Sequence, residues 1–364
     1  MPSGIRLVRI SNQDPFNLNI ERNFAMKTFS ALVIGATGNI GSSLCRKIKE
    51  IPGCRIGGIL TRQTGLIIDP GTSREKNVPV ESPFDLSQEF LETIDVVFLA
   101  IPSNQGMFAA WCIVFYSNCG INVVTCEKAA LSCHFDDVQP HLKKVGYSAT
   151  VGGGTRMLHI LKDRLRTPFS IRIYLILNGT LNYIFSGVSN GKTLGEAVRD
   201  AIRMKFPEPG LTEPMDVLKA EIGDTAMKTA VTYNLCLADD VFLDARDIKI
   251  DEITSAQGMF LQQNAGEFRY IVSFRRSAED TGPFDHEVIG GFRHEIGGWQ
   301  IVAGFFRTNS PVFKGRLPDD VNGTMITVEG KDGINGCYEL ARGPVAGPDE
   351  TASAMITDAF TLIE

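Results

Sequence analysis

No hydrophobic run in this 364-residue chain is long enough to cross a bilayer, which takes about 20 apolar residues. An excess of basic residues is missing too: 36 Lys and Arg stand against 42 Asp and Glu, a net charge of −6. The first absence argues against a membrane protein. The second argues against a nucleic-acid or anionic-lipid surface, while still allowing a local basic pocket for a phosphate. The five histidines contain no H-x-x-x-H pair and the eight cysteines no C-x-x-C pair, so neither a metallo-hydrolase centre nor a zinc site is indicated. Most of those cysteines lie in apolar runs of a large chain, which reads as reduced thiols in a cytoplasmic protein rather than a disulfide framework. Repeats, heptads and low-complexity tracts are absent. Residues 1–25 lack the apolar stretch of a signal peptide and read as a flexible extension, with Met26 as an alternative start.

What is present points to two domains, the usual division for a chain of this length. Phe29–Ile34 is a continuous apolar run of strand length, followed at once by Gly35, Gly38 and Gly41. Ser42–Ile51 has helical periodicity and Arg55–Leu60 is the next strand, together a βαβ unit. Asp95–Ile101 and Asn122–Thr125 read as further buried strands, with a helix around Phe108–Tyr116 between them. Alternating strands and helices of this kind predict an α/β fold with a Rossmann-type parallel sheet over residues 26–154. Residues 155–340 read as a second, mixed α+β domain for substrate and dimerisation. Its predicted strands are Ile171–Leu177, Arg269–Phe274, Trp299–Phe306 and Thr324–Glu329, and its helices lie around 181–189, 193–203 and 220–237. Residues 341–364, with a helix at Thr351–Leu362, are expected to return to the first domain.

Glycines between a strand and a helix let the backbone approach a pyrophosphate at the positive helix end. Gly35, Thr37, Gly38, Asn39, Ile40 and Gly41 are therefore candidate dinucleotide contacts, on a G-x-x-G-x-x-G spacing one residue looser than the usual fingerprint. The second strand ends in Thr61–Arg62, where NAD enzymes place an acid for the ribose 2′-hydroxyl. An arginine pairs with a 2′-phosphate that a carboxylate would repel, so NADP(H) is expected over NAD(H). The plain alternative is a solvated surface arginine.

Lys128 follows a parallel strand, where open α/β sheets bind ligands. Asp224 and Lys228 are four apart on a predicted helix and share a face, which alone would describe an ordinary surface ion pair. Four segments add to this: Ala149–Gly154, Leu177–Ile184, Glu213 with Asp224 and Lys228, and Gly343–Ala354. On these, nearly everything after Met26 resembles the homoserine dehydrogenases.

The resemblance implies interconversion of aspartate-4-semialdehyde and homoserine with a nicotinamide cofactor. It makes Lys228 the principal acid–base residue, Lys128 its partner beside substrate and cofactor, and Asp224 the residue that holds the lysine. Glu213 and Asp224 would together bind the substrate ammonium, and Gly179, Thr180 and Tyr183 would shape the pocket. Pro102, Ser103, Gly347 and Glu350 would contact the cofactor. A small-molecule substrate, a homodimer, and no nucleic-acid or membrane partner are implied, with a place in threonine and methionine biosynthesis. No separate regulatory or kinase domain is expected. Departures from the family pattern are Lys219 in place of an aspartate (with Asp216 nearby), Glu127 in place of an asparagine and Thr155–Arg156 in place of isoleucine–proline. Ser148 also stands where a glutamate of the family's cation site is usual, leaving the carbonyls of Val151 and Gly153 as candidate ligands. Two other readings stay open: a reductase of another small aldehyde or keto acid on the same fold, and a non-catalytic NADPH-binding homologue.

Overall fold

The computed structural model describes residues 27–61, 65–68, 75–78, 82–103, 105–165, 171–207, 210–276, 287–309, 312–313, 317, 322–329, 337–344 and 347–363. The expected extension at 1–25 and Arg62 lie outside these.

The buried run Ser30–Ile34 forms β1, and the glycine turn leads into α1 (Asn39–Glu50), which begins three residues earlier than its apolar periodicity suggested. β2 (Arg55–Leu60) is followed by a short hairpin of β3 (Gly65–Ile68) and β4 (Glu75–Val78), then α2 (Gln88–Leu91) and β5 (Val96–Leu99). Helix α3 (Gly106–Asn118) precedes β6 (Asn122–Thr125), α4 (Ala129–Cys133), α5 (Phe135–Val138), β7 (Val145–Gly146) and α6 (Met157–Arg164). The strand order is β4-β3-β2-β1-β5-β6-β7, with β2, β1, β5, β6 and β7 mutually parallel and the β3–β4 hairpin antiparallel at one edge. Because β2 and β5 flank β1 on opposite sides, the connections diverge there and open a crevice at the carboxyl ends of the strands. This is a Rossmann-type sheet.

The second sheet is antiparallel throughout. Its strands are β8 (Ile171–Ile176), β9 (Phe268–Arg276), β10 (Val288–Ile296), β11 (Trp299–Arg307), β12 (Asn322–Glu329) and β13 (Cys337–Pro344), in the order β10-β11-β9-β8-β12-β13. β10 and β13 are not among the strands expected from the sequence, and Gly343 and Pro344 end β13. Between β8 and β9 run α7 (Gly179–Ser189), α8 (Leu194–Arg203), α9 (Pro214–Cys236) and α10 (Ser255–Gln263). Helix α9 starts six residues before the predicted Ala220, because Pro214 at its first position suits the fixed φ of a helix start.

Leu99 and Val123 under the first sheet share one continuous apolar core with Leu131, Leu158, Ala230, Val272 and Phe274, so α4, α6 and α9 join the two sheets. The last helix, α11 (Pro348–Leu362), packs Ala352, Met355 and Ile356 into the core that holds Phe29, Val33, Leu44 and Phe98. Asp349 on α11 takes hydrogen bonds from Ser43 and, at 2.6 Å, from Arg46, both on α1.

Candidate active site

Three of the expected residues meet where the two sheets join. Asp224 lies between two ammonium groups: Lys128 Nζ is 3.2 Å from Oδ1, and Lys228 Nζ is 2.9 Å from Oδ2. Lys128 comes from the turn after β6, at the carboxyl end of the parallel sheet, while Asp224 and Lys228 are stacked one turn apart on α9. Lys228 also donates to the carbonyl of Leu177 at 3.0 Å, which ties it to the end of β8. Burial alone would raise the Asp224 carboxyl, yet the two lysines hold it well below the usual carboxylate range. Burial works against the Lys128 ammonium, and the adjacent Asp224 carboxylate outweighs it, leaving Lys128 above the ordinary lysine value.

Two further residues complete the cluster. Asn178 caps α7 by accepting the Leu181 N–H at 2.8 Å through Oδ1. That bond fixes the amide orientation, so Nδ2 must donate the other way, to Glu221 Oε2 at 2.7 Å and to Asp224 Oδ2 at 3.3 Å. Glu221 was not anticipated. It is 7 % exposed, and burial together with the neighbouring Asp224 charge pushes its carboxyl up to about 7, against the opposing pull of Asn178, Lys228 and Lys128. The signal was available: Glu221, Asp224 and Lys228 recur at i, i+3 and i+7, one stripe of a helix.

Other expected substrate residues are distributed differently. Gly179 and Thr180 form the buried first turn of α7, beside Asn178. Tyr183 packs edge-on against Phe206 with ring centres 5.1 Å apart. Glu213 is the exposed N-cap residue of α9, and a rise of about 1.5 Å per residue sets it about 16 Å along the axis from Asp224. Lys219 and Asp216 are exposed on the same helix. Glu127 turns away from the cluster to cap α4, accepting the N–H groups of Ala129 and Ala130 at 2.7 Å each. Ser148 is fully buried and bonded to Asp358. Among the described residues no group of three or more His, Cys, Asp or Glu side chains is placed to hold a metal ion.

The crevice at the β1 switch point is a cleft of about 820 Å³ whose walls include Gly35, Thr37, Gly38, Thr61 and Pro102. Gly35 has φ +87° and, with Gly41, leaves no room for a side chain: a Cβ would come within 2.3 Å of the Ala100 carbonyl at Gly35 and 2.2 Å of the Gly35 carbonyl at Gly41. Gly38 differs, having φ −73° and room for a Cβ, which would come no nearer than 3.5 Å to the Gly35 carbonyl. It is the N-cap of α1 with no side-chain cap, so unpartnered helix N–H groups and the positive helix end meet the cleft. Asn39 is exposed on that first turn, Ile40 is half-buried against the core, and Ser103 follows Pro102 at the rim. Gly347 and Glu350 open α11, where Glu350 lies beside Gly154. A cradle that excludes a side chain at Gly41, keeps space at Gly38 and ends on a bare helix terminus fits a dinucleotide pyrophosphate.

The sequence profile of the homoserine dehydrogenase family matches residues 157–360. The chain is similar to the homoserine dehydrogenase of Methanocaldococcus jannaschii, 25 % identical over 299 residues covering 79 % of each chain. It is also similar to that of Sulfurisphaera tokodaii, 24 % identical over 234 residues, 61 % of this chain and 73 % of the relative. Among solved structures, a homoserine dehydrogenase from Thermoplasma acidophilum superimposes with a TM-score of 0.66 at 18 % identity, over 92 % of this chain and 99 % of its own. A hyperthermophilic archaeal homoserine dehydrogenase in complex with NADPH does so with a TM-score of 0.61 at 17 % identity, over 92 % and 97 %.

Proposed function

Because the chain belongs to the homoserine dehydrogenase family and is an NAD(P)-dependent oxidoreductase, we propose that it interconverts aspartate-4-semialdehyde and L-homoserine, using NADP(H) in preference to NAD(H). The observation that carries this reading is the single Asp224 carboxylate between Lys128 and Lys228, at the join between the Rossmann-type sheet and the second sheet. When bound, the nicotinamide supplies or accepts the hydride. Gly35, Gly38, Gly41 and the start of α1 would hold the cofactor's pyrophosphate, with Thr37 and Pro102 on the cleft wall. Arg62 would meet the 2′-phosphate.

In the direction of reduction, Lys228 gives its proton to the carbonyl oxygen, and Lys128 stabilises the negative charge that develops there. Asp224 holds the two ammonium groups in place, one on each carboxylate oxygen. The buried N-terminus of α7, at Gly179 and Thr180, offers a positive helix end to the substrate carboxylate. A homodimer formed through the second sheet belongs to this reading.

One observation favours a second reading. Glu213 stands well away from the lysines, so of the two acids expected to bind the substrate ammonium only Asp224 is beside them. A small aldehyde or keto acid without an amino group would not need Glu213.

The test is an absorbance assay at 340 nm with L-homoserine and either NADP⁺ or NAD⁺, repeated in reverse with the semialdehyde. The reading expects turnover favouring NADP⁺, a loss on the order of 10²- to 10⁴-fold in Lys228→Ala, and loss of cofactor preference in Arg62→Ala. NADPH binding without turnover of either substrate would overturn it and turn attention to the second reading.

A further inference from the structure

We propose that Glu221 is a positioning residue for the two-lysine site: by sharing the Asn178 amide with Asp224, its carboxyl sets the net charge that Lys128 and Lys228 present to the substrate. That role presupposes that the lysines meet the substrate as proposed above.

The geometry leaves Glu221 poorly compensated. Both lysines are within salt-bridge distance of Asp224, whereas Glu221 has the neutral Asn178 amide at 2.7 Å as its hydrogen-bond donor. The charged groups facing it are Lys128 from the end of β6 and Asp224 and Lys228 on its own helix, with Asn178 contributing from the start of α7. The same Nδ2 has three acceptors in reach for its two protons, Glu221 Oε2 at 2.7 Å, the Glu221 carbonyl oxygen at 3.1 Å and Asp224 Oδ2 at 3.3 Å, so the two carboxylates compete for it. Near neutral pH the buried Glu221 passes between its two forms. Protonated, it leaves two lysines against one carboxylate, a net charge of +1. Ionised, it brings the cluster to zero. An alkoxide developing on the substrate is better stabilised by the first state, so reduction favours protonated Glu221.

The experiment compares wild type, Glu221→Gln and Glu221→Asp for kcat/KM of semialdehyde reduction between pH 5.5 and 8.5, alongside Tm over pH 4.5–8.5. Wild type should show an inflection near 7, with a fall of up to about 30-fold between pH 6 and 8.5 if only the protonated form turns over. Glu221→Gln should lose that inflection, and Glu221→Asp should keep one at a displaced pH. Tm reports without any turnover. A glutamate raised from 4.5 to about 7 in the folded state loses stability as pH climbs through that window. Wild type should therefore fall relative to Glu221→Gln from pH 4.5 to 7 and run parallel above. A wild-type profile flat around pH 7, the same inflection in Glu221→Gln, or Tm curves parallel throughout would each overturn the proposal. Absence of semialdehyde turnover in wild type would instead overturn the proposed substrate, and the Tm curves would still decide whether Glu221 titrates.

Discussion

Ser148 gives both of its donors to Asp358: its backbone N–H reaches Oδ2 at 2.7 Å and its hydroxyl reaches Oδ1 at 2.6 Å. With its hydrogen committed to Asp358, the Ser148 oxygen accepts from His159 Nε2, 2.6 Å away. These bonds pin the segment after β7 to the middle of α11, and they satisfy a carboxylate that is only 3 % exposed. Ser148→Ala removes a hydrogen bond to a charged group and should lower stability by about 1.5–3 kcal/mol. Urea denaturation measures this, and a midpoint equal to wild type would count against the network.

The glycines of the first turn should separate by function. At Gly41 a methyl group would meet backbone atoms that cannot move aside, so Gly41→Ala should destabilise by at least about 1–3 kcal/mol. At Gly38 the closest atom to an added Cβ is 3.5 Å away and the backbone suits any residue. Gly38→Ala should therefore cost no more than about 1 kcal/mol of stability, while filling the space a pyrophosphate needs and weakening NADPH on the order of tenfold. Thermal unfolding and fluorescence titration of both variants check this. Equal damage to folding in the two would show that Gly38 is not reserved for a ligand.

Removing the charge of Asp224 leaves Lys128 and Lys228 without the carboxylate that contacts them both, and with Glu221 as a neighbouring acid. Asp224→Asn should cost about 3–5 kcal/mol near neutrality, toward the lower end because the side chain is one-quarter exposed. The sign of the pH dependence follows from the lowered carboxyl. Its contribution is complete above the unfolded value of 3.8 and fades as pH falls toward the folded value, so the gap between wild type and variant should narrow only in strong acid. Denaturation at pH 7 and pH 3 tests the trend, and a gap that widened on acidification would contradict it.

The βαβ start was readable because its strands are uninterrupted apolar runs and its glycines fall between strand and helix, two local signals that agree. The Asp224–Lys228 pair followed from helical spacing. That Lys128 joins them is tertiary, and resemblance rather than periodicity anticipated it. Glu221 escaped notice because a buried carboxylate looks in sequence like any solvated helix glutamate. Its burial depends on Asn178 arriving from another element. Strand β10 was hidden by Gly290 and Gly291, which interrupt alternation at a bulge, and β13 by the charges and glycine of an edge strand. Glu213 was placed beside Asp224 by resemblance, whereas an unbroken helix from Pro214 carries the two apart.

The return of α11 has a consequence for the order of biogenesis. Ser43 and its partner Asp349 are separated by 306 residues, so a ribosome adding roughly 5–20 residues per second makes the second about 15–60 s after the first. Throughout that interval the nascent parallel sheet carries Phe29, Val33, Leu44 and Phe98 without the helix that will cover them. The second sheet, encoded wholly in between, can fold while the first still waits for its lid. That sheet is then sealed long after it emerges, and a chaperone bound to its apolar face would dissociate only as α11 docks.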